Sequence, residues 1–324
     1  MNADRRLRIV YFGTPTFAVP ALERLLDSRH AIVSVVTQPD RPRGRGQHVH
    51  EGPVKALAAA RGVSVLQPEK IKDGLFQDAL RVRAPDLGVV AAYGRILPDE
   101  LLALPPLGFI NIHASILPAY RGASPIQHAV MNGDPETGVS IMQVVRELDA
   151  GPVFATARRA VAPDETSVDV ERDLARIGAD LVIDVVDGIS RGDAVARPQD
   201  DARVTYAGKL TKADGLLDWN QPARTLHNRI RGLHPWPHAH SFLAGHRYVI
   251  LRSEVLDTGG AGLKTGPSRS GVVLEAHGGD LIVAAGDETA LRVLEIQPEG
   301  KRPMTARDFL AGHRARPGDR FGDR

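Results

Sequence analysis

The first 191 residues alternate short apolar runs with stretches of helical periodicity, and this alternation limits the fold more than any other feature of the chain. LRIVYF (7–12), AIVSVVT (31–37), VSVL (63–66), PDLGVVAAYG (85–94) and GFINIHAS (108–115) read as strands. Between them, Phe17, Ala21, Leu22, Leu25 and Leu26 share one helical face, and VKALAAARG (54–62) reads as a helix closed by glycine. GVSIMQVV (138–145) and VFATARRAV (153–161) are strand-like, and residues 167–191 form a long amphipathic helix. Repeated strand–helix–strand units predict a doubly wound, mainly parallel α/β sheet covered on both faces. Such sheets bind ligands beyond the carboxyl ends of their strands, so chemistry is sought just after residues 12, 37, 91 and 112.

The texture changes further on. Residues 192–206 are polar, contain Pro198, Asp200 and Asp201, and read as a linker. QPARTLHNRIRGL (221–233) is a helix. The short runs at 247–256, 271–276, 280–286 and 290–297, separated by glycine turns, predict a small β-barrel of the OB-like kind. A helix at 305–314 precedes a polar tail expected to be loose. The reading is a first domain over 1–191 that carries the chemistry, a linker over 192–206, a second domain over 207–314 and a tail over 315–324. Residues 206–324 hold 17 basic and 13 acidic side chains, a mild positive balance that suits a polyanionic partner. Cysteine is absent, which excludes disulfides, thiolate metal sites and cysteine nucleophiles and fits a cytoplasmic protein. No apolar run approaches the ~20 residues of a membrane helix, so no membrane partner is expected.

The candidate chemistry starts in FINIH. Asn111 and His113 are two apart, so a strand points both to one face, roughly 7 Å apart. Ile110 and Ile112 then face the opposite way, toward a helix layer. Polar side chains at the end of a buried strand need hydrogen-bond partners or a task. The following SILP-AYRG-ASP is a stiff loop holding Arg121, and Asp149 sits far downstream in an Asp-Ala-Gly-Pro turn. An amide can donate to an oxyanion, a contribution of roughly 3–4 kcal/mol. An imidazole can move a proton, and a carboxylate beside it would orient it and raise its pKa. Asn111, His113 and Asp149 together suit a reaction through a tetrahedral oxyanion, and no G-x-S-x-G elbow calls for a covalent intermediate.

These residues carry a resemblance. The pattern N-x-H-x-S-x-L-P…RG…P…G-x-T…D-x-G, seen here in Asn111, His113, Ser115, Leu117, Pro118, Arg121, Gly122, Pro125, Asp149 and Gly151, resembles the 10-formyl-tetrahydrofolate-dependent formyltransferase family. RIVYFGTPTFAVPAL, TQPDRPRGRGQ, VVAAYGRILP, TYAGKLTKADGLLDW and RGLHPWPHA support it, over about Leu7 to Arg314. The departures are small: Ala114 stands where the family usually has Gly, and Ala119-Tyr120 precede Arg121-Gly122.

The resemblance implies a formyltransferase-type Rossmann-like domain and an OB-like domain. It implies transfer of a formyl group from the co-substrate 10-formyl-tetrahydrofolate, without a metal, to the free amine of initiator methionyl-tRNA by a monomeric enzyme. Asn111 and His113 stabilise the oxyanion, His113 moves the proton, and Asp149 holds His113. The folate pocket is bordered by Val90, Ala91, Tyr93, Ile96 and Leu97, and by Ser115, Ile116, Leu117 and Pro118. Arg41, Arg43 and Arg45, alternating with Pro and Gly in the 38–47 loop, reach the tRNA acceptor stem; Lys209 and Lys212 are further RNA-contact candidates. The alternative within the family is a sugar-nucleotide formyltransferase, for which the arginine loop has no use. A dehydrogenase is disfavoured because Gly13-Thr14-Pro15 is not the dinucleotide fingerprint. His234, His238 and His240 lie between prolines without metal-site spacing, and Trp236 is expected to anchor the second domain.

Overall fold

A computed structural model of the chain describes residues 5–40, 42–43, 48–49, 51–256, 269–313 and 315–322. In chain order the first elements are β1 (Arg8–Gly13), α1 (Val19–Leu26), β2 (Ala31–Val36), β3 (Pro42–Arg43), β4 (His48–Val49), α2 (Pro53–Ala60) and β5 (Val65–Leu66). Next come α3 (Gly74–Arg83), β6 (Leu87–Ala91), α4 (Asp99–Leu102), β7 (Phe109–His113) and β8 (Arg121–Gly122). They are followed by α5 (Pro125–Asn132), β9 (Glu136–Gln143), β10 (Val153–Ala160), α6 (Ser167–Arg191) and β11 (Tyr206–Ala207).

The main sheet has the order β10-β9-β7-β6-β1-β2-β5. The pairs from β7 through β5 are parallel, whereas β9 runs antiparallel to both β7 and β10. The mainly parallel sheet expected from the sequence therefore has an antiparallel edge. Ile9, Val10, Tyr11 and Phe12 are all at most 1% exposed, as a strand covered on both faces requires. Gly178 of α6 lies against Ile112 and Val139, so α6 covers the face of β7 opposite Asn111 and His113. The residues expected to face a helix layer do so.

The chain divides into two compact units. One comprises residues 1–125, 136–160 and 171–207; the other comprises 126–135, 161–170 and 208–324. The second unit thus recruits most of α5 and the start of α6 from the front half of the chain. Its remaining elements are α7 (Ala223–Gly232), β12 (Ala239–Leu243), β13 (His246–Leu256), β14 (Val273–His277), β15 (Asp280–Ala284), β16 (Ala290–Pro298), β17 (Met304–Thr305), α8 (Ala306–Gly312) and β18 (Phe321–Gly322).

These strands form a curled sheet of order β14-β15-β16-β13-β12-β18, with β17 on β16. Its two ends meet: Val272 bridges Arg320, and the Phe321 N–H donates to Gly271 O at 2.7 Å. The tail expected to be loose is therefore part of this small barrel, because pairing with the first strand satisfies its backbone and buries Phe321 to 1% exposure. Trp236 also departs from expectation. It is 50% exposed, and the aromatic anchor is Trp219, buried with its Nε1–H donated to Ser241 Oγ at 2.9 Å.

Candidate active site

The site forms at the carboxyl end of β7. Register pairs Ala91 of β6 with Ile112 and Gly13 of β1 with Ala91, so three strand ends lie side by side there. Chain reversal is abrupt: Ala92 takes φ 47° and Gly94 φ 78° just past β6. Asn111 is partly exposed on its strand, and among the described residues no group binds its side-chain amide. His113, next on the same face, is buried.

Two distant segments converge on His113. The ring Nε2–H donates to Tyr120 O at 2.9 Å, and Nδ1 lies 3.6 Å from Asp149 Oδ2. The same Asp149 Oδ2 accepts from Gly122 N–H at 2.8 Å. The spacing puts Asn111 and His113 on one face of β7, and the fold brings Asp149 from a distant turn to the same edge of the sheet. Both ring nitrogens face acceptors, so the imidazole is held at two points, while the Asn111 amide is left open to a ligand.

The loop between β7 and α5 is knitted from within. Ser140 Oγ donates to Ser115 O at 2.8 Å and accepts from Leu117 N–H at 3.1 Å. Ser115 Oγ donates to Ala119 O at 2.5 Å. Ser115 is therefore wholly buried and shapes the loop. Of the other expected folate-wall residues, Ala91, Tyr93, Leu97 and Leu117 are buried, Val90, Ile116 and Pro118 are half-buried, and Ile96 is exposed. Tyr93 and Leu97 pack with Phe12 and Phe109 in the core beneath the strand ends, so around Tyr93 the backbone is what reaches the edge. A groove of about 390 Å³ is lined by Leu117, Pro118, Phe154, Thr156, Arg197 and Gln199. It includes two of the expected wall residues and none from Val90 to Leu97.

Residues 192–206, read as a linker, are stitched to this site. β11 pairs in parallel with β8, Arg121 N–H donates to Thr205 O at 2.9 Å, and Tyr120 N–H to Thr205 Oγ1 at 2.9 Å. Gln199 Nε2 donates to Asp149 O at 2.7 Å and Gly151 O at 2.8 Å, and its Oε1 accepts from the buried Arg121 guanidinium at 2.8 and 3.1 Å. Gln199 and Thr205 escape a reading of the sequence because each is one polar residue in a polar stretch.

Arg41 and Arg45 lie outside the described residues, and Arg43 is placed by backbone alone, in β3 paired with β4. The start of their loop is anchored at the site's edge. Gln38 Nε2 donates to Tyr93 O at 2.8 Å, and Gln67 Nε2 donates at 3.0 Å to both Gln38 O and Asp40 Oδ1. Lys55, with help from Gln67, holds the Asp40 carboxyl below the usual carboxylate range. Lys209 and Lys212 are exposed in the second unit. His234 and His238 approach ring to ring at 5.3 Å, and among the described residues no group of three or more His, Asp or Glu side chains is arranged to hold a metal. No helix among them is long and apolar enough to cross a membrane.

Comparison with known proteins shows the family. Residues 6–186 match the family described as formyl transferase, and 209–314 match the formyl transferase C-terminal domain. The chain is 44% identical over 311 residues to a methionyl-tRNA formyltransferase of Desulfotalea psychrophila, covering 96% of this chain and 94% of the relative. It is 44% identical over 318 residues to one of Roseiflexus castenholzii, covering 98% and 99%. Among solved structures, the sugar 3N-formyl transferase WlaRD shares the fold at a TM-score of 0.65 and 14% identity, over 92% of this chain and all (100%) of that one. HypX from Aquifex aeolicus, solved with tetrahydrofolic acid, does so at a TM-score of 0.64 and 17% identity, over 94% of this chain and 47% of that one. Through both of its domains, the chain belongs to the formyl transferase family.

Proposed function

We propose that this chain transfers the formyl group of 10-formyl-tetrahydrofolate to the free amine of initiator methionyl-tRNA, for the initiation of translation. The observation that carries the reading is the open Asn111 amide beside a His113 that lies 3.6 Å from Asp149, at the edge where the strand ends meet. The relatives of matching length, at 40–44% identity, act on methionyl-tRNA by name. The folate fits such an edge: turned-back backbone at Ala92–Gly94 and the loop over Ser115–Pro118 give a flat ring both hydrogen-bonding groups and apolar cover.

The chemistry follows from the groups present. The amine lone pair forms a C–N bond to the formyl carbon while the carbonyl pair moves onto oxygen. Asn111 donates to that oxyanion. On collapse the bond to the folate N10 breaks, and the proton lost by the attacking nitrogen is delivered to N10. His113 carries this proton, its Nε2–H exchanging Tyr120 O for the reacting atoms, with Asp149 stabilising the charged ring. Positioning two bound reactants supplies much of the remaining acceleration. Residues 1–191 carry the catalysis, and 207–314 together with Arg41, Arg43, Arg45, Lys209 and Lys212 grip the tRNA. The chain acts as a cytoplasmic monomer and needs no metal.

The test is to incubate the chain with labelled 10-formyl-tetrahydrofolate and either charged initiator tRNA or an amino-sugar nucleotide. Label is expected on methionyl-tRNA alone. Transfer to the sugar instead would make this a sugar-nucleotide formyltransferase.

A further inference from the structure

We infer that Gln199 is a positioning residue for formyl transfer, holding the Asp149 carboxylate against His113 by gripping the carbonyls on either side of Ala150. The inference rests on the proposed reaction and adds to it a residue outside the loops that carry the chemistry. A primary amide has two N–H donors and one oxygen with two lone pairs. Gln199 uses all four: its donors meet Asp149 O and Gly151 O at 2.7 and 2.8 Å, and its oxygen takes two N–H groups of Arg121 at 2.8 and 3.1 Å. Arg121 is 5% exposed and also approaches Asp201 at 3.3 Å, so the brace behind Gln199 is itself fixed.

Asp149 needs such a grip. Its φ of 49° lies in the left-handed region, which is less favourable for any residue with a side chain and gains from being held there. Within the turn itself, the backbone bond from Ala150 N–H to Glu147 O is long, at 3.4 Å. With the carbonyl of Asp149 tied to Gln199, its carboxylate is turned back to Gly122 N–H at 2.8 Å and His113 Nδ1 at 3.6 Å. Gln199 is anchored in turn: Val153 and Arg197 exchange backbone hydrogen bonds at 2.8 and 2.9 Å. The side chain also lines the open groove, so replacing it leaves no sealed void.

The experiment measures kcat and KM for formyl transfer from 10-formyl-tetrahydrofolate to methionyl-tRNA. The proteins are the wild type, Gln199→Met, Gln199→Asn, Asp149→Asn and the double variant Asp149→Asn with Gln199→Met. Methionine keeps the volume without the hydrogen bonds; asparagine keeps the amide one carbon short of the carbonyls. Both single variants at Gln199 are expected to lose at least about tenfold in kcat, with each KM within about threefold of wild type. In the Asp149→Asn background, Gln199→Met is expected to change kcat by less than about twofold, because its effect passes through the carboxylate. A wild-type kcat in both single variants, or an undiminished loss in the Asp149→Asn background, overturns the inference alone. A wild-type chain that transfers no formyl group overturns the proposed function, and this inference with it.

Discussion

Asn111 and His113 differ in how tightly the protein holds them, and this difference sets what each variant should do. The Asn111 amide has no hydrogen-bond partner among the described residues, whereas the His113 ring is fixed between Tyr120 O and Asp149. Asn111→Ala and His113→Ala are each expected to lower kcat at least about a hundredfold with near-normal folate binding, measured by single-turnover transfer and ligand titration. Gly122 tests the same arrangement through the backbone. Its φ is +126°, and a Cβ there would lie 2.5 Å from Ala207 O, so alanine strains the joint between β8 and β11. The same residue's N–H holds the Asp149 carboxylate. Gly122→Ala is expected to cost about 1–3 kcal/mol of stability and to lower kcat, as read by urea unfolding and steady-state rates. Full activity would mean that the carboxylate does not depend on this N–H.

Elements transmit such constraints over longer distances. β7 presents Asn111 and His113 on one face and Ile112 on the other, where Gly178 of α6 packs against it: a Cβ at 178 would lie 2.8 Å from Ile112 Cγ2. Gly178→Val should therefore push β7, with Asn111 and His113, away from α6. An expected loss of about 1–3 kcal/mol in urea unfolding, with a fall in kcat, checks this; unchanged kcat would show that β7 does not move. The arginine loop makes the complementary prediction. With Arg41, Arg43 and Arg45 all changed to Ala, affinity for initiator tRNA should fall steeply and its salt dependence should weaken, because fewer counterions are released. Equal affinity and slope would remove this loop from the interface. The elements legible in the sequence are those with a clean period: α6 spans Ser167–Arg191 in the structure, the range its amphipathic pattern marks. The helix α3 is not legible, because Leu75 and Val82 are exposed while only Phe76 and Leu80 are buried, which blurs its apolar face. Nor is the joint of β8 with β11, two residues each, or Phe321, a single apolar residue in a polar tail. Asn111 and His113 stood out in the sequence because polar residues at a strand end conflict with burial, and Asp149 because it sits in a tight turn within a family pattern; Gln199 matches its polar surroundings, and only its hydrogen bonds reveal it.

Across the whole molecule, each unit buries histidine in a form that cannot gain a proton cheaply. In the second unit, His227 Nε2–H donates to Pro163 O at 3.1 Å and Nδ1 pairs with Ser253 Oγ at 3.1 Å, which suits the neutral ring. Burial holds its pKa below 6.5, and burial does the same for His238 and His240, aided by the charge of Arg247. In the first unit, burial lowers His30 despite the nearby Asp187 carboxylate. A histidine whose folded pKa lies below its unfolded value binds protons more readily when unfolded. Its contribution is complete above the unfolded pKa of 6.5 and is lost as pH falls from there toward the folded value. Asp40, Asp214 and Asp218 are held below their ordinary 3.8, so the stability they add is lost only when pH falls below that value. The histidines therefore weaken the fold between about pH 7 and pH 5, and Glu171, whose carboxyl burial holds above its ordinary 4.5, opposes them in part. The chain is expected to lose thermal stability over that interval. His227→Gln should flatten the loss for the second unit and His30→Gln for the first, each followed by calorimetry across pH. A melting temperature that rises as pH falls from 7 to 5, or a slope that neither substitution alters, would mean that other groups set the acid limit. Because His30 bonds Leu7 N–H and Asp187 and none of the residues around Asn111 and His113, the acid loss of fold and the pH profile of formyl transfer should separate: His30→Gln is expected to move the first and leave the second where it is.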